Sequence, residues 1–204
     1  MSALVTTQKP KRDLREVFDA LDNEGRAIAP ELARLNELIM DVLPANTIIA
    51  GDSSQVTCMG TTTFYRAQQP NSLLYMATYA TLGYGLPAAI GAKVAVPDRP
   101  VICLLGDDAL MFAIQEIMTA VENNLDLPII CVDNGGYGEI RNNEIERGIE
   151  PIAVNLCQPD WVKLAEAFGA RGFSANIDTL QDTVAQALRV NGPSLIHLRI
   201  SGGC

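Results

Sequence analysis

The chain has 204 residues, a hydrophobic fraction of 48% and a net charge of −9. That size and composition fit a single globular core, and the acidity argues against nonspecific attachment to nucleic acid. No apolar run is long enough for a membrane span and no basic-then-apolar leader opens the chain, so neither membrane insertion nor secretion is expected and the expected setting is cytoplasmic.

Residues 1–27 are charged and mixed, with no strong strand, and read as a tail or linker; 28–204 read as one domain. Pro30 suits the first turn of a helix over 31–42, and an apolar strand follows at 47–50. A polar loop carries Ser53 and Ser54. The segment 82–96 is rich in Gly and Ala, as a helix packed closely on a sheet requires. A strand at 101–105 leads into a helix that begins near Ala109. Over 110–123, Ile114, Ile117, Met118 and Val121 recur with a helical period. A second continuous apolar strand spans 129–132. Helices over 160–168 and 179–190 and a last strand at 194–198 complete the pattern. Alternating strands and helices predict an α/β fold, a three-layer doubly wound and mainly parallel sheet. Cys58, Cys103, Cys131, Cys157 and Cys204 form no CxxC pair and read as reduced thiols, two of them inside strands.

Two stretches carry the chemistry. Gly106-Asp107-Asp108-Ala109 follows the strand at 101–105, and Asp133-Asn134-Gly135-Gly136-Tyr137 follows the strand at 129–132. The intervening helix makes the two strands parallel, so Asp107 and Asn134 emerge together at the carboxyl edge of the sheet, where open α/β folds bind ligands. A carboxylate, an amide oxygen and a glycine carbonyl suit a hard cation such as Mg2+ or Ca2+. The helix start beside them suits a phosphate. Each residue also has a plainer reading: Asp107 as a helix cap, Asn134 as a left-handed turn residue before two glycines, Ser53 and Ser54 as solvated loop serines, Leu82 as a core leucine. His197, the only histidine, reads as structural.

The pattern Gly-Asp-x, about two dozen residues, then x-Asn-Gly-Gly-Tyr-Gly, together with the upstream run from Ala80 to Ala92, resembles the thiamine-diphosphate enzymes of the acetolactate synthase and benzoylformate decarboxylase group. The resemblance implies that Asp107, the Asn134 side-chain oxygen and the Gly136 carbonyl hold the metal. It implies that Leu82 props the cofactor into a bent shape, that the Ala80 carbonyl meets its exocyclic amine, and that the Asp108 and Ala109 N–H groups serve the diphosphate. Ser53, Ser54, Gly106 and Tyr137 join them as cofactor-binding residues. Two positions depart from the family pattern. Asp108 stands where a second glycine is usual, adding negative charge beside the diphosphate, and Asp133 replaces the first asparagine of a usual pair. Weaker or more metal-dependent cofactor binding is the expected consequence.

The same resemblance implies a partner. The glutamate that activates the cofactor belongs to a separate pyrimidine-binding domain or subunit, and the active site forms between subunits of a homodimer. The chain is then one part of a 2-oxo acid decarboxylase or acetolactate synthase-like enzyme, a lyase or transferase with no catalytic residue of its own assigned. Glu139 is the candidate substrate contact, suited to a cationic tail, with a dipole-stabilised helix glutamate as the plainer reading. The wording around Gly51-Asp52-Ser53 and 151–156 is similar to guanidino-oxopentanoate decarboxylases. A noncatalytic or regulatory cofactor-binding module is the alternative; a generic nucleotide binder lacks both a Walker loop and a GxGxxG.

Overall fold

The structure, a computed structural model, describes residues 14–200. In chain order the elements are α1 (Leu14–Ile28), α2 (Pro30–Met40), β1 (Ile48–Ala50), a π-helical turn (Val56–Thr61), α3 (Thr62–Phe64), β2 (Leu73–Leu74), α4 (Gly85–Ala95) and β3 (Val101–Gly106). There follow α5 (Asp107–Met111), α6 (Glu116–Glu122), β4 (Pro128–Asp133), α7 (Gly138–Glu146), α8 (Trp161–Phe168), β5 (Arg171–Ala175), α9 (Leu180–Ala187) and β6 (Ser194–Arg199).

The strands form one six-stranded sheet in the order β2-β1-β3-β4-β6-β5, and every pairing is parallel. Continuous apolar runs make this possible, because a parallel sheet is covered on both faces. Alternate residues of each strand enter different cores. Ala50, Cys103, Leu105, Cys131 and Leu195 pack with Leu86, Ile117 and Trp161 from α4, α6 and α8. Ile49, Ile102, Leu104, Ile130 and Ile196 pack with Leu35, Ile39, Leu180 and Val184 from α2 and α9. The sheet is therefore the middle of three layers, as the sequence predicts.

Local chemistry sets the helix ends. Pro30 opens α2, where its missing N–H costs nothing. The Asp160 carboxylate accepts the Lys163 N–H at 3.1 Å to start α8, and Gly169, at φ +91°, ends it.

The helix expected over 110–123 is two helices. From the end of α5 into the first turn of α6, Phe112, Ala113, Glu116, Ile117 and Met118 donate to carbonyls three residues back, so the chain tightens where no Gly or Pro announces a break. Asp108 sits in the right-handed first turn of α5, a backbone conformation that needs no glycine. Within the expected tail or linker, Leu14–Ile28 is a helix that buries no residue; it is tethered by Arg26, which pairs with Asp22 and Glu37 and lies over the Phe64 ring. Residues 1–13 and 201–204, with Cys204, lie outside the described residues. Cys103 and Cys131 are buried free thiols, as expected. Among the described residues no helix is long and apolar enough to cross a membrane.

Candidate functional site

The strand order changes direction between β1 and β3, since β2 lies on one side of β1 and β3 on the other. A crevice forms at the carboxyl ends of strands at such a switch point. Here β1, β3 and β4 deliver, respectively, the loop from Gly51, the turn at Asp107 and the turn at Asn134 into one cavity of about 270 Å3.

All the cofactor-binding residues expected from the sequence line that cavity, and Glu139 borders it too. A larger depression of about 610 Å3 opens beside the amino ends of β5 and β6, between Arg171, Arg189 and Pro193, and shares no residue with it. The smaller cavity is the candidate site because it gathers the unpartnered polar atoms.

Three buried side-chain oxygens there have no hydrogen-bond partner: Ser53 Oγ, Asp107 Oδ2 and Asn134 Oδ1. Buried polar atoms are normally satisfied, so a cluster of such oxygens in one cavity is a place where a ligand can supply the partners. One carboxylate and one amide oxygen are hard donors, which suits Mg2+ or Ca2+. Gly136 can add a carbonyl: its oxygen accepts the Gly138 N–H at 2.8 Å, leaving a second lone pair. Among the described residues no three His, Cys, Asp or Glu side chains cluster to hold a metal. A cation here would thus depend on mixed donors and on phosphate oxygens, the usual arrangement for Mg2+.

The backbone around these donors is tightly specified. Gly135 and Gly136 take φ +81° and +134°, whereas Asn134 is not left-handed, so the turn's strain falls on the glycines. A Cβ on Gly136 would meet the Val154 carbonyl, whose oxygen accepts the Tyr137 N–H at 2.9 Å. A Cβ on Gly106 would stand 2.9 Å from that of Ser54, so glycine there lets the β1 loop approach β3. Ser54 is less free than Ser53, lying 3.4 Å from both Asp52 Oδ1 and Thr57 Oγ1. Leu82, partly buried, packs against the core and also lines the cavity. Ala80 holds φ +48°, a left-handed conformation costing an alanine about 1 to 2 kcal/mol.

The site is short of positive charge. Burial, then the Asp133 charge, push Asp107 up to about 6, against the N–H groups of Asp107, Asn134 and Asp108. Burial and the charges of Asp107 and Asp133 push Asp108 up to about 7, opposed by Arg141. Crowded, buried carboxylates of this kind favour a divalent cation, which would offset both the cost of burying their charge and their mutual repulsion.

Three residues that the sequence did not single out as site residues, Asp52, Gln55 and Arg141, support the site. Asp52, completely buried, accepts the Gly83 N–H at 3.0 Å and so ties the Ala80–Leu82 segment to the end of β1; burial raises its pKa. Gln55 bridges Asn134 and Glu139. Arg141 reaches Asn155 Oδ1 at 3.0 Å. His197 pairs with Asp133, a structural role as expected, though the partner was not foreseen. One signal was available for Asp52: a Gly-Asp pair stands at the carboxyl end of both β1 and β3, at 51–52 and 106–107.

Fold and site together define an α/β protein with a cavity, lined by buried unpartnered oxygens, at the carboxyl edge of its parallel sheet. Residues 53–198 match the family of thiamine pyrophosphate enzymes, C-terminal TPP binding domain. The chain belongs to that family. It is 36% identical over 183 residues to the probable 2-ketoarginine decarboxylase AruI of Pseudomonas aeruginosa, covering 86% of this chain and 32% of that protein. It is 37% identical over 159 residues to the acetolactate synthase isozyme 1 large subunit of Escherichia coli, covering 76% and 28%. A solved thiamine diphosphate-dependent 4-hydroxybenzoylformate decarboxylase of Rhodococcus jostii superposes with a TM-score of 0.76 at 30% identity, covering 84% of this chain and 33% of that one. The chain spans about a third of the length of these relatives.

Proposed function

We propose that the chain grips the diphosphate of thiamine diphosphate through Mg2+ or Ca2+, as one part of a 2-oxo acid decarboxylase or acetolactate synthase-like enzyme. The observation that carries this reading is the pair of buried, unpartnered oxygens, Asp107 Oδ2 and Asn134 Oδ1, at the ends of neighbouring strands. Asp107, Asn134 and the Gly136 carbonyl would hold the metal. Ser53 and the first-turn N–H groups of Asp108 and Ala109 would meet the diphosphate. Leu82 would brace the cofactor and the Ala80 carbonyl would receive its amine, which gives the left-handed Ala80 backbone a use.

The bound cofactor supplies carbanion-stabilising chemistry for cleaving or forming a bond beside a carbonyl. The protein's contribution is to bind, orient and exclude water. The activating glutamate belongs on a pyrimidine-binding domain or subunit outside this chain, and the complete site would form in a homodimer. Family membership supports this division, as does the one-third share of its relatives' length. The cytoplasmic setting proposed agrees with the buried free thiols of Cys103 and Cys131. The probable 2-ketoarginine decarboxylase among the relatives makes a guanidino-2-oxo acid the substrate class to try first, with pyruvate as the comparison.

A ligand bound only by the folded state raises the melting temperature. Thiamine diphosphate with magnesium should therefore raise it for this chain, and neither component alone should match the pair. No rise at any ratio would overturn the reading. Carbon dioxide release from the two acids, measured once the glutamate-bearing partner is supplied, separates the enzyme from a noncatalytic cofactor module. Asp108, which brings extra negative charge to the cavity, is the observation favouring the module.

A further inference from the structure

An asparagine can ligate a cation only if its oxygen, and not its NH2 group, faces the ion. The two ends of a side-chain amide are nearly the same shape, so something else must choose. In this chain the choice traces to Glu139.

Gln55 Nε2 donates to Glu139 Oε2 at 3.0 Å. A carboxylate only accepts, so the NH2 of Gln55 must face it and Gln55 Oε1 must point away. That oxygen accepts from Asn134 Nδ2 at 3.1 Å. The Asn134 NH2 is thereby engaged, and Asn134 Oδ1 is left buried without a partner. With Gln55 held this way, reversing the Asn134 amide would set its Oδ1 against Gln55 Oε1, two acceptors with no proton between them. Glu139 is itself held, because Asn143 Nδ2 donates to Glu139 Oε1 at 3.3 Å one turn along α7. Room for the chain of contacts comes from Gly138, where a Cβ would stand 2.6 Å from Asn134 Nδ2 and 3.1 Å from Gln55 Oε1.

We propose that Glu139, acting through Gln55, fixes which end of the Asn134 amide is presented to the cation, making Gln55 and Glu139 positioning residues for metal binding. Each Glu139 oxygen thus already accepts one side-chain hydrogen bond. The inference rests on the metal-diphosphate reading of the site.

The test is titration of the 204-residue chain with Mn2+ and thiamine diphosphate, counting free Mn2+ by electron paramagnetic resonance. Gln55→Met, similar in shape but without the amide, should weaken Mn2+ binding by about 10- to 100-fold, the usual cost of losing a partner behind a metal ligand. Glu139→Gln, which can donate or accept, should lose less. In an Asn134→Asp background, where both oxygens are equivalent, Gln55→Met should cost almost nothing. Circular dichroism melts check that each variant is folded. Gln55→Met binding Mn2+ like the wild type, or losing the same factor in both backgrounds, would overturn the positioning role alone. A wild-type chain that binds no Mn2+ would overturn the metal reading, and this inference with it.

Discussion

His197 Nε2 lies 2.8 Å from Asp133 Oδ2, joining β6 to the end of β4. Asp133 is completely buried, and its other oxygen accepts the Gly135 N–H at 2.9 Å. One carboxylate therefore anchors both a neighbouring strand and the turn that carries Asn134. The Asp133 carboxylate thus has a hydrogen-bond partner on the adjacent strand as well as in its own turn.

Removing that partner should show in stability. His197→Ala leaves Asp133 Oδ2 buried without its hydrogen bond, and hydrogen bonds to charged groups contribute about 1.5 to 3 kcal/mol. Urea unfolding should report a loss of about that size with an unchanged slope. His197→Gln, which can still donate, should recover part of it. A His197→Ala change within about 0.5 kcal/mol, as for an ordinary surface substitution, would mean that the pair anchors nothing.

Asp52 makes a second anchor. Its Oδ2 accepts the Gly83 N–H across 31 residues of chain, and the side chain is fully buried. Asp52→Ala strands that donor and should cost about 1 to 3 kcal/mol. It should also weaken thiamine diphosphate binding more than Asp52→Asn does, because an amide oxygen can still accept. Equal affinities in the two variants would separate Asp52 from the placement of the Ala80–Leu82 segment.

Asp108 sets a pH dependence. Its pKa rises from 3.8 to about 7 on folding, so the folded chain holds this proton more tightly than the unfolded chain does. The associated stability is fully present below the unfolded value and is lost as pH rises through about 7, with Asp107 acting in the same sense up to about 6. Without metal, thermal stability should therefore fall between about pH 4 and about pH 7. Asp108→Asn should match the wild type near the bottom of that range and exceed it near the top. An identical profile in the two proteins would show that Asp108 is not under strain.

The sequence displays the centre of the fold openly and its margins poorly. β3 and β4 are uninterrupted apolar runs closed by Gly-Asp and Asn-Gly-Gly, so both their direction and their ligand-bearing ends can be read directly. β2 is only Leu73–Leu74, too short for any period. β5 lies at the sheet edge with Arg171 exposed and Gly172 inside, and that glycine is there because a Cβ would stand 2.7 Å from the Val162 carbonyl. Tertiary contact, not local pattern, makes it a strand. The break between α5 and α6 leaves Met111 and Phe112 about half exposed, at 51% and 57%, in a stretch whose spacing suits one helix. The site residues follow the same division. Asp107 and Asn134 are marked by their positions after strands, but Gln55 acts through a contact 79 residues away, which spacing cannot reveal.

The central claim is that Asp107 and Asn134 hold a divalent cation that anchors the cofactor's diphosphate. Calorimetric titration of thiamine diphosphate into the wild-type chain and into Asp107→Asn, each with magnesium and with chelator, tests it most directly. The account predicts heat of binding only for the wild type with magnesium, and loss of most affinity in Asp107→Asn. Equal binding with chelator present, or an Asp107→Asn variant that binds like the wild type, would contradict it.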